Sequence, residues 1–259
     1  MLTQAVNNIA IAYEVHGEGE PLLWLHGAYV SRRTWQPQIA HFAPHYRLIL
    51  PDVRGHGNSG KSSAPYTMAL FAQDMLALLD SLGIQRVVCV GHSMGGMVAQ
   101  EMALMAPDRI RALVLAETSY GTSSTPLEAF ATNSTKLFLP LLTVKTITRL
   151  SVQRYGKFSA EAVRSLEADM LAHTADRANF VNIFKAFLTF ESKARLAQIT
   201  RPTLVLVGSA NKQTHGQGTN MAGLIKGARF EMIPNASHLL HWDNPDAFNA
   251  ALTGFWAIL

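Results

Sequence analysis

The stretch Val87-Val88-Cys89-Val90-Gly91-His92-Ser93-Met94-Gly95-Gly96 decides the fold of this 259-residue chain. Its first four residues are apolar and mostly β-branched, which is typical of a strand buried on both faces. The residues that follow, Met97-Val98-Ala99-Gln100-Glu101, are compatible with a helix. A strand that enters a helix through Gly-x-Ser-x-Gly predicts a tight turn with an exposed serine hydroxyl. We therefore predict that Ser93 is a nucleophile, with a plain structural turn as the alternative.

The start of the predicted helix also suits a developing negative charge. A helix N-terminus has free N–H groups and a partial positive charge. Upstream, the strand Leu22–Leu25 ends in His26-Gly27, and enzymes with this turn take a second oxyanion donor from an amide just after that strand. We expect the amides of Ala28 and Met94 to form the oxyanion hole. The alternative, in which His26-Gly27 only turns the chain, is compatible with this role.

The C-terminal part of the chain offers a histidine as the base. The run Phe230–Ile233 predicts a strand, and the polar loop after it carries His238. A base on a loop at the carboxyl end of a strand can reach Ser93 and move its proton. The chain has ten histidines, and His241 is the nearest rival, but it lies where Leu239-Leu240-His241-Trp242 leads into the last helix. The order serine, acid, histidine favours His238.

Short apolar runs alternate with helical patterns along the chain, which predicts a mostly parallel sheet with helices on both faces. Besides Arg86–Val90, we expect strands at Ile9–Val15, Leu22–Leu25, Arg47–Leu50, Ala112–Leu115, Thr203–Val207 and Arg229–Ile233. Helices are expected at Thr34–Phe42, Met68–Leu82, Ser93–Met105, Gly216–Ile225 and from Pro245 onward.

A long insertion separates two of these strands. Between Leu115 and Thr203 the pattern is helical and no convincing strand occurs. We expect a core of residues 1–117 and 196–259, with a helical cap of residues 118–195 inserted between sheet strands. Apolar residues are numerous in the insertion, which suits a cap over a site, whereas ordinary packing of helices on the core is the alternative.

Composition excludes several kinds of partner. The formal net charge is +4, but the lysines and arginines are scattered, so nucleic acid is not expected. The first twenty residues lack the pattern of a secretion signal, and no apolar run reaches the roughly 18 residues of a membrane span. We expect a soluble, cytoplasmic protein without a membrane partner. The lone Cys89 cannot form an intrachain disulfide, and no histidine pair has metal-ligand spacing with an accompanying acid.

In chain order these motifs resemble the α/β-hydrolase superfamily, in particular its small serine esterase, lactonase and perhydrolase-like members with a helical cap. The resemblance covers nearly the whole chain and rests on His26-Gly27, Asp52-Val53-Arg54-Gly55-His56-Gly57-Asn58-Ser59, Gly91 to Gly96, Pro202 to Gly208 and His238. It implies the α/β-hydrolase fold and a serine–acid–histidine triad, and it implies no cofactor.

The acid of the triad departs from the commonest family pattern. An aspartate usually follows the strand that ends in Val-Gly, whereas here Val207-Gly208-Ser209-Ala210 leads to Asn211. An asparagine cannot offset the charge of an imidazolium. Some family members carry the acid one strand earlier, where Glu117 follows Ala116, and we expect Glu117 to orient His238.

Other readings of the acid stay open. Asn211 is the alternative orienter, as an amide, and a compromised or substituted site is a third interpretation. Glu117 would then be a solvated residue at the hinge of the cap. Asp243 is a remote further candidate that suits the cap of the final helix better.

The favoured function is hydrolysis of a small carboxylic ester, thioester or lactone through an acyl-enzyme, by a monomer or homodimer. We expect Trp35, Phe138 and Leu239 to contact the substrate. Carbon–carbon bond hydrolysis and perhydrolysis are alternatives within the fold. A non-catalytic ligand receptor is an alternative from another class, and Asn211 is the residue that favours it.

Overall fold

The computed structural model describes residues 1–122, 134, 143–155 and 158–259. These residues build an 8-stranded sheet. In chain order its strands are β1 (Leu2–Val6), β2 (Ile9–His16), β3 (Glu20–Leu25), β4 (Tyr46–Pro51), β5 (Val87–His92), β6 (Ile110–Ala116), β7 (Thr203–Gly208) and β8 (Arg229–Ile233). Across the sheet the order is β1-β2-β4-β3-β5-β6-β7-β8. The strands from β4 to β8 in this order run parallel, and β1 and β2 form an antiparallel hairpin at one edge. The fold is therefore the mostly parallel α/β sheet expected from the sequence.

Helices cover both faces of the sheet. In chain order they are α1 (Gln36–Phe42), α2 (Met68–Ser81), α3 (Met94–Met105), α4 (Val144–Tyr155), α5 (Ala160–Ala172), α6 (Arg177–Leu188), α7 (Lys212–Leu224), α8 (Leu240–Asp243) and α9 (Pro245–Trp256). Buried residues of α2, α3 and α7 pack on one face of the sheet. Those of α1 and α9 pack on the other. The two apolar cores hold the sheet between them.

The central strand β5 shows why the apolar runs were informative. All six residues of Val87–His92 are buried, because β3 and β6 flank the strand in the sheet and helices cover both of its faces. The carboxyl ends of these neighbouring parallel strands meet at one edge of the sheet. Loops that follow β3, β5, β6 and β7 are therefore brought together, as is usual for ligand sites in this class of fold.

The seven expected strands are all present, and the structure adds β1. This strand was missed because it is an edge strand whose residues are mostly exposed, so it lacks an apolar run. Asn7 and Asn8 turn the chain from β1 into β2 with positive φ angles of 45° and 63°. Asparagine tolerates this conformation better than most residues.

The segment between β6 and β7 contains α4, α5 and α6 among its described residues. The side chain of Asp169 in α5 accepts hydrogen bonds from the backbone N–H and the hydroxyl of Ser31, at 2.8 and 2.7 Å. The ring of Phe180 in α6 stacks on Tyr29, with ring centroids 4.2 Å apart. Both contacts attach the insertion to the loop after β3. The exact domain boundaries, 118 and 195, stay a prediction.

Candidate active site

Ser93 lies in a strained turn between β5 and α3. Its φ of 52° and ψ of −118° are unusual for a residue with a side chain, and such strain, about 1–3 kcal/mol, persists only where the surroundings impose it. The backbone N–H of Ser93 donates to the carbonyl of Ala116 at 2.9 Å. The hydroxyl of Thr118 donates to the carbonyl of Ser93 at 2.7 Å. Both bonds come from the neighbouring strand β6 and the loop after it, and they hold the turn.

The two glycines of the motif have a steric reason. A Cβ atom on Gly95 would lie 2.1 Å from the carbonyl oxygen of Leu25. A Cβ atom on Gly91 would lie 2.5 Å from the carbonyl oxygen of Gly95. Neither position has room for a side chain, because α3 starts directly against the ends of β3 and β5. The close approach of α3 to these strand ends therefore explains both glycines of the Gly-x-Ser-x-Gly pattern.

Glu117 is the first residue after β6, and its carboxylate is fully buried. One oxygen, Oε1, accepts a hydrogen bond from the backbone N–H of Gly208 at 2.5 Å. The other, Oε2, accepts from the amide Nδ2 of Asn211 at 2.6 Å and lies 3.4 Å from Nδ1 of His238. The structure thus brings Glu117 and His238 together, and it places Asn211 on the carboxylate.

His238 lies on the loop after β8. Its carbonyl oxygen lies 2.8 Å from Nε2 of His92, the residue before Ser93. The imidazole of His238 stacks on the ring of Tyr155, with centroids 4.4 Å apart and planes at 27°. The side chain of His238 remains 16% exposed, so it can meet a molecule in the space above Ser93.

His241 and Asp243, the alternatives to His238 and Glu117, make hydrogen bonds outside the Glu117–His238 pair. His241 is buried, and its Nε2 lies 2.9 Å from the hydroxyl of Thr34. Burial, together with the nearby His238, lowers the pKa of His241 to about 3. A carboxylate oxygen of Asp243 accepts from the backbone N–H of Ser237 at 2.8 Å. Burial raises the pKa of Asp243 to about 6. Asp243 therefore shapes the loop that carries His238.

A cavity of about 150 Å³ lies above Ser93. Its sheet side is formed by the loop after β3, the Ser93 turn and the loop after β8, and includes Gly27, Ala28, Ser93, His238 and Leu239. Its opposite wall comes from the insertion and includes Ile147, Tyr155, Leu166, Met170, Phe184 and Phe187. Among the described residues that line the cavity there is no lysine, arginine, aspartate or glutamate.

The structure places the remaining predicted site residues in different surroundings. Ala28 and Leu239 line the cavity, and Met94 begins α3, so its N–H belongs to the first turn, where amides lack an intrahelical partner. Trp35 was expected to contact the substrate, and this is corrected by the structure. Its indole is fully buried and packs on Trp24 in the core, with centroids 4.9 Å apart. Phe138 lies outside the described residues.

Three contacts of the site were missed at the level of sequence. His92 and Thr118 act through single hydrogen bonds to backbone carbonyls, which depend on how β5, β6 and the loop after β8 meet. Tyr155 reaches His238 from the insertion, and no motif surrounds it. The Gly-His-Ser turn itself was the only signal that pointed to His92.

Two structural features bear on cofactors and membranes. Within residues 1–122, 134, 143–155 and 158–259, no group of three or more histidine, cysteine, aspartate or glutamate side chains is arranged to hold a metal ion. No helix in the same ranges combines the length and apolar character needed to cross a membrane.

Comparison with known proteins identifies a family whose model matches most of this chain. The model of the Alpha/beta hydrolase family matches residues 22–251. A protein of Azorhizobium caulinodans described as "Putative carbamate hydrolase RutD" is 30% identical over 247 residues, which cover 94% of this chain and 93% of that protein. The 3-oxoadipate enol-lactonase 2 of Acinetobacter baylyi is 27% identical over 254 residues, which cover 96% and 94%. A thermophilic esterase from Thermogutta terrifontis is similar in structure, with a TM-score of 0.86, 26% identity, and coverage of 99% of this chain and 96% of the esterase.

Proposed function

This chain, matched by the family model over residues 22–251, belongs to the α/β-hydrolase family, and on that premise we propose that it is a serine hydrolase. The proposed reaction is cleavage of a small carboxylic ester, thioester or lactone through an acyl-enzyme. Relatives described as a lactonase and an esterase support hydrolysis of this kind of bond. The observation that carries the proposal is the 3.4 Å approach of His238 Nδ1 to the buried carboxylate of Glu117, at the cavity that Ser93 lines.

In the proposed first step His238 takes the proton of the Ser93 hydroxyl at Nε2 while the serine oxygen attacks the substrate carbonyl. Glu117 accepts the Nδ1–H of His238, which fixes the tautomer and offsets the charge of the imidazolium. The 3.4 Å separation is long for a hydrogen bond. Such contacts shorten when substrate binds, since unliganded sites are often loose.

The carbonyl oxygen of the substrate becomes an oxyanion during attack, and the amides of Ala28 and Met94 are proposed to stabilise it. His238 then returns the proton to the leaving alcohol, thiol or ring oxygen. A water molecule attacks the acyl-enzyme in the same manner, with His238 as base, and the carboxylic acid leaves. The proton balance closes on Ser93 and His238, and no step needs a cofactor.

The cavity supports a small, uncharged substrate. Its described walls are mostly apolar on the insertion side, where Ser151 and Tyr155 add hydroxyl groups, and they carry no charged side chain from lysine, arginine, aspartate or glutamate. A cavity of about 150 Å³ is small beside the 300–1,000 Å³ that is typical of ligand pockets. We therefore propose short acyl chains without a carboxylate.

The receptor alternative depended on Asn211 in place of an acid. In the structure Asn211 donates to Glu117 Oε2 at 2.6 Å, so a carboxylate is available to His238 from another strand. This arrangement favours turnover over binding alone, because the carboxylate can stabilise an imidazolium that forms only when the serine attacks.

Short-chain p-nitrophenyl esters and a fluorophosphonate probe test the proposal. We expect hydrolysis and labelling in the parent protein, and loss of both in Ser93→Ala. Ser151→Ala is the matched control, because Ser151 lines the same cavity from α4 and should not be the labelled residue. The proposal fails if the folded parent protein neither turns over any ester nor is labelled, or if the label is found on Ser151.

A further inference from the structure

Tyr155 makes a contact with His238 that the triad alone does not require. It is the last residue of α4, in the insertion, and its ring stacks on the imidazole at a centroid separation of 4.4 Å and an interplanar angle of 27°. We propose that Tyr155 is a positioning residue whose aromatic face stabilises the imidazolium of His238. This inference rests on the proposed serine hydrolase function.

Three groups surround the imidazole of His238. Nδ1 is turned toward the carboxylate of Glu117 at 3.4 Å, and the ring of His92 lies at a centroid distance of 4.9 Å in a tilted arrangement. The stacked ring of Tyr155 covers a face of the imidazole. An imidazole held at its edge and its face cannot easily rotate away from Ser93.

The stacked ring of Tyr155 also interacts with the positive charge that His238 gains during the proposed reaction. The face of an aromatic ring is negative and attracts a cation that lies over it. His238 is neutral before attack and becomes a cation when it accepts the serine proton, so the attraction grows as the reaction proceeds. An interaction that is stronger in the transition state than in the ground state raises the rate of the chemical step. Burial raises the pKa of Tyr155, so its phenol stays neutral beside the imidazolium.

The insertion thereby contributes to chemistry as well as to the cavity wall. Ile147 of α4 and Phe184 of α6 line the cavity and pack against the apolar core, whereas Tyr155 contacts the base itself. Arg154 places its guanidinium carbon 5.7 Å from the centroid of the Tyr155 ring. A second cation near the ring competes with the imidazolium for the ring charge, so removing it should not slow the reaction.

Substitutions that separate ring shape from ring charge test this inference. Tyr155→Phe keeps the aromatic face and should retain the parent rate of fluorophosphonate labelling at Ser93. Tyr155→Leu should lower kcat and the labelling rate by about 2- to 30-fold, the range of a cation–π contact. Replacement of Tyr155 by pentafluorophenylalanine keeps the shape but reverses the charge of the face, and should lower the rates as Tyr155→Leu does.

Two controls make the outcome decisive. Phe158→Leu removes an exposed aromatic ring of the insertion that does not line the cavity, and Arg154→Gln removes the neighbouring cation. The inference is overturned if pentafluorophenylalanine behaves like Tyr155→Phe, or if Phe158→Leu or Arg154→Gln lowers the labelling rate as much as Tyr155→Leu. If the parent protein is not labelled at all, the proposed function has failed instead. The pentafluoro variant keeps the test informative even if Tyr155→Leu does not fold.

Discussion

Helices α3 and α4 are each 12 residues long and flank the same cavity, yet they are built differently. In α3, ten residues are buried, and the helix starts against the ends of two central strands. In α4, only Val144 and Thr148 are buried among the described side chains. The comparison teaches that the half of the site which holds Ser93 is determined by the sheet, whereas the half formed by the insertion is free to differ in sequence and shape.

The same difference appears in the hydrogen bonds. The backbone N–H of Ser93 donates to Ala116, and that of Glu117 donates to Leu206 at 2.8 Å, so both residues are fixed by neighbouring strands. The insertion meets the sheet side through side-chain contacts such as that of Asp169 with Ser31. Changes on the sheet side should therefore alter kcat for every substrate, and changes on the insertion side should alter which substrate is preferred.

Glu117→Gln should have the largest effect. The substitution removes the charge that faces His238 while keeping the size of the side chain, and loss of the corresponding carboxylate in a triad costs roughly 10⁴-fold in kcat. The measurement is kcat for p-nitrophenyl acetate. Nearly full activity in Glu117→Gln would show that the carboxylate does not support His238.

Glu101→Gln is the matched control for this experiment. Glu101 is also buried, on α3, and pairs with Arg195, with one hydrogen bond of 2.9 Å. It does not line the cavity. Its replacement should reduce the free energy of unfolding and leave kcat near the parent value, which separates loss of a buried charge from loss of the acid.

Asn211→Asp should lower activity even though it restores the commonest family pattern. The substituted carboxylate would stand where Nδ2 now donates to Glu117 Oε2 at 2.6 Å. Two carboxylates this close cannot both be ionised without cost, so one takes up a proton. We expect kcat at pH 7 to fall by about tenfold, as a loss of roughly 1.4 kcal/mol in transition-state stabilisation. A rate above that of the parent protein would mean that residue 211, and not Glu117, orients His238.

Buried histidines occur on both sides of the site and give a pH dependence of stability. Burial lowers the pKa of His241, on the sheet side, to about 3 and the pKa of His173, after α5, to about 4. In the unfolded chain a histidine titrates near 6.5. Below pH 6.5 the unfolded state therefore binds more protons than the folded state. As the pH decreases below 6.5, the free energy of unfolding should decrease by about 1.4 kcal/mol per pH unit for each such histidine.

Urea unfolding at pH 7.5, 6.5 and 5.5 measures this dependence. Asp243 acts in the opposite direction, because burial raises its pKa to about 6 and the folded chain takes up that proton first. His173→Gln and His241→Gln should each make the pH dependence less steep by about the contribution of one group. A parent protein equally stable at pH 7.5 and 5.5 would contradict the prediction.

On the sheet side, the strands and the residues that follow them lie where the sequence placed them. The motif around Ser93, the loop histidine His238 and the acid Glu117 all follow strands, and parallel strands bring their carboxyl ends to one edge. Adjacent strand ends are therefore close in space without any knowledge of side-chain packing. Chain position placed both Glu117 and Asn211 at this edge, and Glu117 was favoured because a carboxylate, unlike an amide, can offset the charge of an imidazolium.

Residues whose place depends on packing could not be predicted in this way. Trp35 follows the loop after β3 in sequence, but its indole turns into the core against Trp24. Tyr155 has no motif and reaches His238 only because of how α4 lies over the sheet. Helical periodicity shows that a residue is apolar or buried, but not which neighbour it meets across a cavity.

The smallest effect is expected on the insertion side, at Met170. Its side chain lines the cavity opposite Ser93, and truncation to alanine makes room for a longer acyl chain. Each additional buried methylene is worth ~0.8 kcal/mol, about fourfold in kcat/KM. The ratio of kcat/KM for p-nitrophenyl propanoate to that for the acetate, which differ by one methylene, should rise in Met170→Ala by up to about fourfold. Leu171→Ala is the control, because Leu171 is 36% exposed and does not line the cavity. If both variants keep the parent ratio, the insertion does not set the preferred acyl length. The difference in burial between α3 and α4 would then have no consequence for substrate preference.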